Sequence, residues 1–366
     1  MTTLLYIANI RLPTEKAHGL QILKTCEALA QEGAAVTLVV PRRFNHIKED
    51  PFAYYGLRAR FPVVYLPTLD LIRFGRIGFI MQTLTFSASA FFYVLFHRSD
   101  VVFSRDEVPL WFLLGLSKKT VWESHTGARN FFAHGVARRC TKLVAISGGI
   151  KKLYMRQGID AQKIIVAPDG VDLADFARTE TTESARQRLG LPLDKKIALY
   201  IGRLDGWKGV DTLCKAAELL PAGIQVAIIG GEPAQIKTMR ALYPKVIFLG
   251  YRPYREVASN QAAADVLVLP NTAKDAVSAD LTSPLKLFTY MASSRPIVAS
   301  DLLSIREVLD NTACYFAKPD DPRSFAGCIQ EASADTEEAG RKAAVARALV
   351  KGYSWQARAK KILASI

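Results

Sequence analysis

A chain of 366 residues, half of them apolar, can bury a large core, and its length favours two domains over one. The formal net charge of +14 calls for an anionic partner, yet zinc-finger spacing, an RNP-like aromatic segment and an isolated basic helix are all missing, which argues against nucleic acid. Five scattered cysteines (Cys26, Cys140, Cys214, Cys314, Cys328) give neither a disulfide framework nor a zinc site, and Met1–Ile10 reads as a core strand, not an export signal, so a reduced cytoplasmic protein is expected.

From the N-terminus, Leu4–Ala8 reads as a buried strand. Leu20, Leu23, Glu27 and Ala30 then mark successive turns of a helix whose apolar stripe takes in Ile22, Cys26 and Leu29, and Gly33 ends it. The turn between them carries His18 and Gly19, where a glycine at a helix N-terminus lets backbone amides approach an anion. An ordinary loop before a helix fits that turn equally well. Apolar runs follow at Ala35–Val40, Val63–Leu66, Val101–Phe103, Thr120–Trp122, Leu143–Ile146 and Ile164–Val166, with helix-length segments between most of them. Strands alternating with helices give a parallel sheet covered on both faces. The apolar stretch Ile77–Phe96, flanked by Arg73, Arg76, His97 and Arg98, is about long enough to span a bilayer. Gln82, Thr83, Thr85, Ser87 and Ser89 interrupt it, so it is expected as a buried or surface-lying helix, with a peripheral contact to an anionic membrane left open.

The polar stretch Ala177–Lys196, with its clustered Thr179–Ser184, reads as the crossing between domains spanning 1–176 and 177–352. A second series of strands is expected at Ile197–Ile201, Gln225–Ile229, Val246–Leu249, Val266–Leu269 and Ile297–Ala299, and Val210, Leu213, Ala217 and Leu220 share one stripe of a helix at Gly209–Leu220. The fold class is α/β, with two doubly wound parallel sheets whose strand-end crevices face each other.

Four segments carry candidate chemistry. In Gly202-Arg-Leu-Asp-Gly-Trp-Lys-Gly209, directly after a strand, Arg203 and Lys208 are cations able to neutralise a departing pyrophosphate. In the loop from Asp280, Ser283 is expected as an N-cap with Pro284 at the first helical position, so the amides around Ser283–Leu287, Leu285 included, and the charge of Lys286 would meet phosphates. Glu123-Ser-His125 ends a strand, where His125 could hydrogen-bond a sugar hydroxyl or assist proton transfer. Glu232, after Gly230-Gly231, could bind a base or sugar. Each has a structural alternative: solvated charge, a simple cap or a core histidine.

Taken together, Leu12–Ala30, Leu143–Phe176, Tyr200–Gly209, Ala263–Asn271 and Ser283–Val308 resemble the glycosyltransferase family 4 group of retaining enzymes with GT-B architecture, over nearly the whole chain. The resemblance implies an N-terminal acceptor domain, a C-terminal nucleotide-sugar domain, and a last helix, Tyr353–Ile366, that returns to the first. It also implies that Arg203 and Lys208 clamp the donor diphosphate, that Gly19 lies on the phosphate side, and that His125 is the histidine near the donor sugar. The donor would be a UDP- or GDP-sugar, with no metal or other cofactor, and the acceptor a glycan or lipid-linked sugar of cell-surface polysaccharide, lipopolysaccharide or glycolipid synthesis. One departure stands out: where the family commonly has two glutamates, this chain has Leu281 and Thr289, and the second glutamate typically holds the ribose hydroxyls. An inactive or altered relative, or a nucleotide-sugar 2-epimerase, therefore remains an alternative.

Overall fold

The computed structural model describes residues 1–177 and 180–366; Arg178 and Thr179, part of the expected crossing, lie outside the described residues. The chain forms two compact units, one of Met1–Asp169 with Trp355–Ile366, the other of Gly170–Ser354.

The first unit holds β1 (Thr3–Ile7), β2 (Ala35–Pro41), β3 (Val63–Leu66), β4 (Val101–Ser104), β5 (Lys119–Ser124), β6 (Lys142–Ala145) and β7 (Ile164–Val166). All pair in parallel in the order β3-β2-β1-β4-β5-β6-β7, with Leu4 opposite both Val36 and Val101. The central strands β1, β4 and β5 are buried throughout except for their first residues Thr3 and Lys119, as expected of a parallel sheet covered by helices on both faces.

In the second unit β8 (Lys196–Ile201), β9 (Ile224–Ile229), β10 (Ile247–Gly250), β11 (Val266–Leu269), β12 (Ile297–Ser300) and β13 (Tyr315–Ala317) run parallel in the order β10-β9-β8-β11-β12-β13. The edge strand β13, three residues long, is the one the sequence did not announce.

Among the helices, α1 (Ala17–Gln31) and α2 (Gly75–Phe96) belong to the first unit, and α3 (Val210–Ala217) and α4 (Leu285–Ala292) to the second. The terminal α5 (Trp355–Ser365) is part of the first unit and packs on α1 with Trp355 and Ile362 buried. The division falls at 169/170 and 354/355, where the sequence placed it at 176/177 and 352/353. Val171 bridges Ser354, and its N–H donates to the Tyr353 carbonyl at 3.0 Å, so both passages are stitched together inside the second unit. Most of the polar stretch after them is not a linker, since Thr181 caps a helix at Thr182–Leu189.

Helix α2 inverts the usual arrangement. Its buried face is Gly78, Gln82, Thr83, Phe86, Ser87, Ala90 and Val94, mostly small or polar. The polar members make bonds inside: Gln82 Nε2 donates to Asn9 Oδ1 at 2.8 Å, Asn9 Nδ2 to Thr83 Oγ1 at 3.1 Å, and Ser87 Oγ to the Thr83 carbonyl at 2.7 Å. Ile77, Ile80, Met81, Leu84, Phe92, Leu95 and Phe96 point outward, between 40% and 77% exposed. Together with the preceding turn, the segment Ile72–Phe96 is long and apolar enough to cross a membrane, with about a third of it buried in protein.

Candidate functional site

In the second unit the strand order reverses between β8 and β11, and at such a switch point the loops at the strand ends diverge and leave a crevice. The loop from Gly202 to Gly209 leaves β8 there. A Cβ on Gly202 would lie 2.8 Å from Tyr200 Oη and 2.9 Å from Lys286 Nζ. Gly209, at φ 68°, lies so close to the Pro270 carbonyl that a Cβ would come within 1.7 Å of it. Both glycines let the loop lie flat against its neighbours.

Two basic residues of that loop meet a third from α4. Arg203 is 64% exposed and ion-paired within the loop to Asp205 at 3.1 Å. Lys208 Nζ sits 3.3 Å from the Trp207 ring centroid. Burial draws its pKa down to about 8, with Arg203 pushing the same way against Asp205. Lys286, in the first turn of α4, lies over the Tyr200 ring at 4.2 Å and donates to its hydroxyl at 2.8 Å, while that hydroxyl donates to the Arg203 carbonyl at 2.7 Å. Burial, then the charge of Lys208, holds Lys286 well below the ordinary lysine range. A buried Lys286 whose protonation Lys208 opposes, beside a Lys208 opposed in turn by Arg203, makes a site of positive potential that an anion relieves.

Several expected roles change. Ser283 is not the cap of α4: Pro284 takes that position in an extended conformation and Leu285 begins the helix, after a short π-helix at Val277–Leu281. Thr289 is 3% exposed, and its hydroxyl accepts from Gln261 Nε2 and donates to the Lys286 carbonyl, both at 2.9 Å. Its one hydroxyl is thus consumed inside the unit. Glu232 caps the helix Pro233–Leu242 in a box with Gln235, and Gly231 (φ 91°) turns the chain beside Leu204. In the first unit, the Gly19 amide donates to the Lys16 carbonyl, and the space a Cβ would take is filled by Tyr55 Oη at 2.1 Å. Gly19 makes room for Tyr55, and His18 beside it is half-buried.

The first unit also buries a charge network that the sequence disclosed only through Glu123 and His125. Glu123, fully buried at the end of β5, accepts from Gln21 Nε2 on α1 and faces His125 Nε2, each at 2.5 Å, with Arg358 Nη2 of α5 at 2.9 Å from its other oxygen. Arg105 Nη1, after β4, donates to Gln21 Oε1 at 2.9 Å. Burial alone would raise the Glu123 pKa, but Arg358, then His125 and Arg105, hold it well below the carboxylate range. His125 is drawn down to about 4 by burial and by Arg105, against the pull of Glu123. Burial lifts Asp169 to about 7. Glu123, His125 and Asp169 bring one ligand atom each within 4.8 Å of one another, but the Arg358 guanidinium already supplies the positive charge a metal ion would bring. Arg105, Asp169 and Arg358 lie on separate elements, and nothing local in the sequence singles them out.

Residues 19–175 match the model of Glycosyltransferase Family 4, and residues 195–335 that of Glycosyl transferases group 1. A D-inositol 3-phosphate glycosyltransferase of Xylanimonas cellulosilytica is 30% identical over 223 residues, 56% of this chain and 51% of the relative. The chain spans about half the length of the curated relatives it matches. Among solved structures, sucrose-phosphate synthase from Thermosynechococcus elongatus superposes with a TM-score of 0.80 at 19% identity, over 100% of this chain and 98% of that one. The HepE protein of Anabaena in complex with UDP-glucose gives 0.76 at 16% identity, over 100% of both chains. The two sheets thus have the GT-B fold.

Proposed function

The chain belongs to glycosyltransferase family 4, and from that premise we propose that it transfers a hexose-type sugar from a UDP- or GDP-sugar to a glycan or lipid-linked acceptor in the synthesis of a surface polysaccharide or glycolipid. The carrying observation is the gathering of Arg203 and Lys208, on the glycine-bounded loop at the switch point of the second sheet, with Lys286 of α4. Breaking a glycosyl–phosphate bond leaves negative charge on the diphosphate, and fixed cations there lower the barrier because they need no reorganisation as the charge appears. Lysine and arginine then do what a divalent ion does elsewhere, and no metal or other cofactor enters this reading. His125 presents a neutral ring suited to a sugar hydroxyl. The UDP-glucose complex of the HepE fold relative supports a nucleotide-sugar donor. The outward apolar face of α2 and its arginine-bearing ends support an acceptor met at the cytoplasmic surface of an anionic membrane.

One observation favours a second reading, a relative that binds nucleotide weakly without turnover: the Thr289 hydroxyl is committed to Gln261 and Lys286 and offers the ribose no carboxylate. Calorimetry with UDP, GDP and ADP separates the two. The transferase reading expects one of them to bind, and Arg203→Ala and Lys208→Ala each to weaken that binding at least about tenfold, the loss of one charge-assisted hydrogen bond. No binding by any nucleotide at millimolar concentration supports the second reading, and unchanged affinity in both variants removes the clamp.

A further inference from the structure

Glu123 is surrounded by donors. Arg105 has no acceptor atom, so the Gln21 oxygen must face it, which turns the Gln21 amide nitrogen onto Glu123. Arg358 closes on the other carboxylate oxygen and also donates to Thr25 Oγ1 on α1 at 3.2 Å. A carboxylate held this way only accepts, so the His125 nitrogen facing it, Nε2, carries its hydrogen. For an imidazole that is neutral, the other nitrogen is then bare.

We propose that Arg358, on the terminal helix α5, is a positioning residue: by keeping Glu123 an anion it fixes His125 as the Nε2–H tautomer and leaves Nδ1 as a hydrogen-bond acceptor. Only the identity of what Nδ1 receives, a sugar hydroxyl, rests on the transferase reading. An Nδ1–H tautomer would repel that hydroxyl's proton, and an imidazolium would attract phosphate instead. The ionisable groups that bear on the network from the packed elements are Tyr6 on β1, Cys26 on α1, Arg105 after β4, Asp169 after β7 and Arg358 on α5. Among them Arg358 makes the direct ion pair with Glu123. Removing it leaves the Glu123 charge less compensated, and the compensating proton enters the Glu123–His125 pair, whose facing atoms are 2.5 Å apart.

The test is NMR of the full chain labelled with 15N-histidine, with His125→Gln used for assignment among the five histidines. In the native protein we expect the His125 ring neutral at pH 7 with its proton on Nε2. In Arg358→Gln the His125 titration should rise by about one unit or more, the effect of one nearby charge, and Arg358→Lys should restore most of the native behaviour. UDP affinity, read by calorimetry in the same samples, should stay within about twofold, because the cations of the clamp lie in the other unit. A native Nδ1–H ring, a charged ring at pH 7, or a folded Arg358→Gln protein with an unmoved titration overturns the proposal. Should Arg358→Gln not fold, the native tautomer and Arg358→Lys decide. Failure of UDP to bind any form would count against the transferase reading while leaving the tautomer result intact.

Discussion

Lys208 and Lys286 share one field, and their shifted protonation makes ligand binding depend on pH in a definite direction. Lys208, with its pKa at about 8, is charged at pH 7, and burial, then the charge of Lys208, holds Lys286 well below the ordinary lysine range. A bound diphosphate reverses the field and raises both values, so binding takes up protons. Affinity therefore falls as pH rises through the free-state pKa of Lys208. For one proton taken up, the UDP dissociation constant should rise about tenfold per pH unit above about 8, and the calorimetric enthalpy should change with the ionisation enthalpy of the buffer. A dissociation constant flat from about pH 7 to 9 would show that neither lysine meets the ligand. Arg203 and Lys208 were legible in the chain because glycines bracket them just after an apolar run. Thr289 was legible as a position but not as a contact, since its partner Gln261 lies on another helix. Arg358 was invisible, as its meaning depends on Glu123, far back along the chain.

Secondary structure was read best where one periodicity dominates. Strands such as Val63–Leu66 and Val266–Leu269 have the expected bounds because a buried parallel strand is simply an apolar run bounded by turns. β13, Tyr-Phe-Ala, holds none of the Ile and Val residues that made the equally short β7 readable, and α4 starts one residue later than its cap signal suggested, with Pro284 as the cap residue. The lesson of α2 is different. Its polar residues suggested an interrupted apolar segment, whereas Gln82, Thr83 and Ser87 line the inside and most of the large side chains face out. No acidic residue lies between Asp70 and Asp100, and Arg73, Arg76 and Arg98 flank the exposed face, so its charge complements anionic lipid. The protein should cosediment with phosphatidylglycerol vesicles and much less with phosphatidylcholine. Three arginines at about 1 kcal/mol each are worth about a hundredfold in partitioning, a gain that salt should erase. Ile80→Ser with Leu84→Ser should cut binding at either salt. Equal binding of the double variant, or an exposed face covered by self-association in gel filtration, would assign α2 another partner.

At the scale of the molecule, the first unit is built from both ends of the chain, with the second inserted between Asp169 and Trp355. Its last helix is not a decoration. Trp355 and Ile362 are buried, and Arg358 compensates the buried Glu123. Burying two such side chains contributes about 1.5–3 kcal/mol each, and breaking a buried ion pair by removing one partner costs about 3–5 kcal/mol. That total is comparable with the whole stability of a typical domain, about 5–15 kcal/mol. A chain ending at Ser354 should therefore lose the first unit's packing while keeping the second, whose sheet and helices lie wholly within Gly170–Ser354. Hydrogen exchange resolves the two. Amides of β1, β4 and β5 should lose protection in the shortened chain, whereas those of β8 and β11 should keep it. The same dependence orders folding, because the first unit cannot complete its charge network until the final residues are available, and such distant contacts form late. Native protection in β5 of the shortened protein would mean that Glu123 finds its compensation without α5, and that the helix serves only to cover α1.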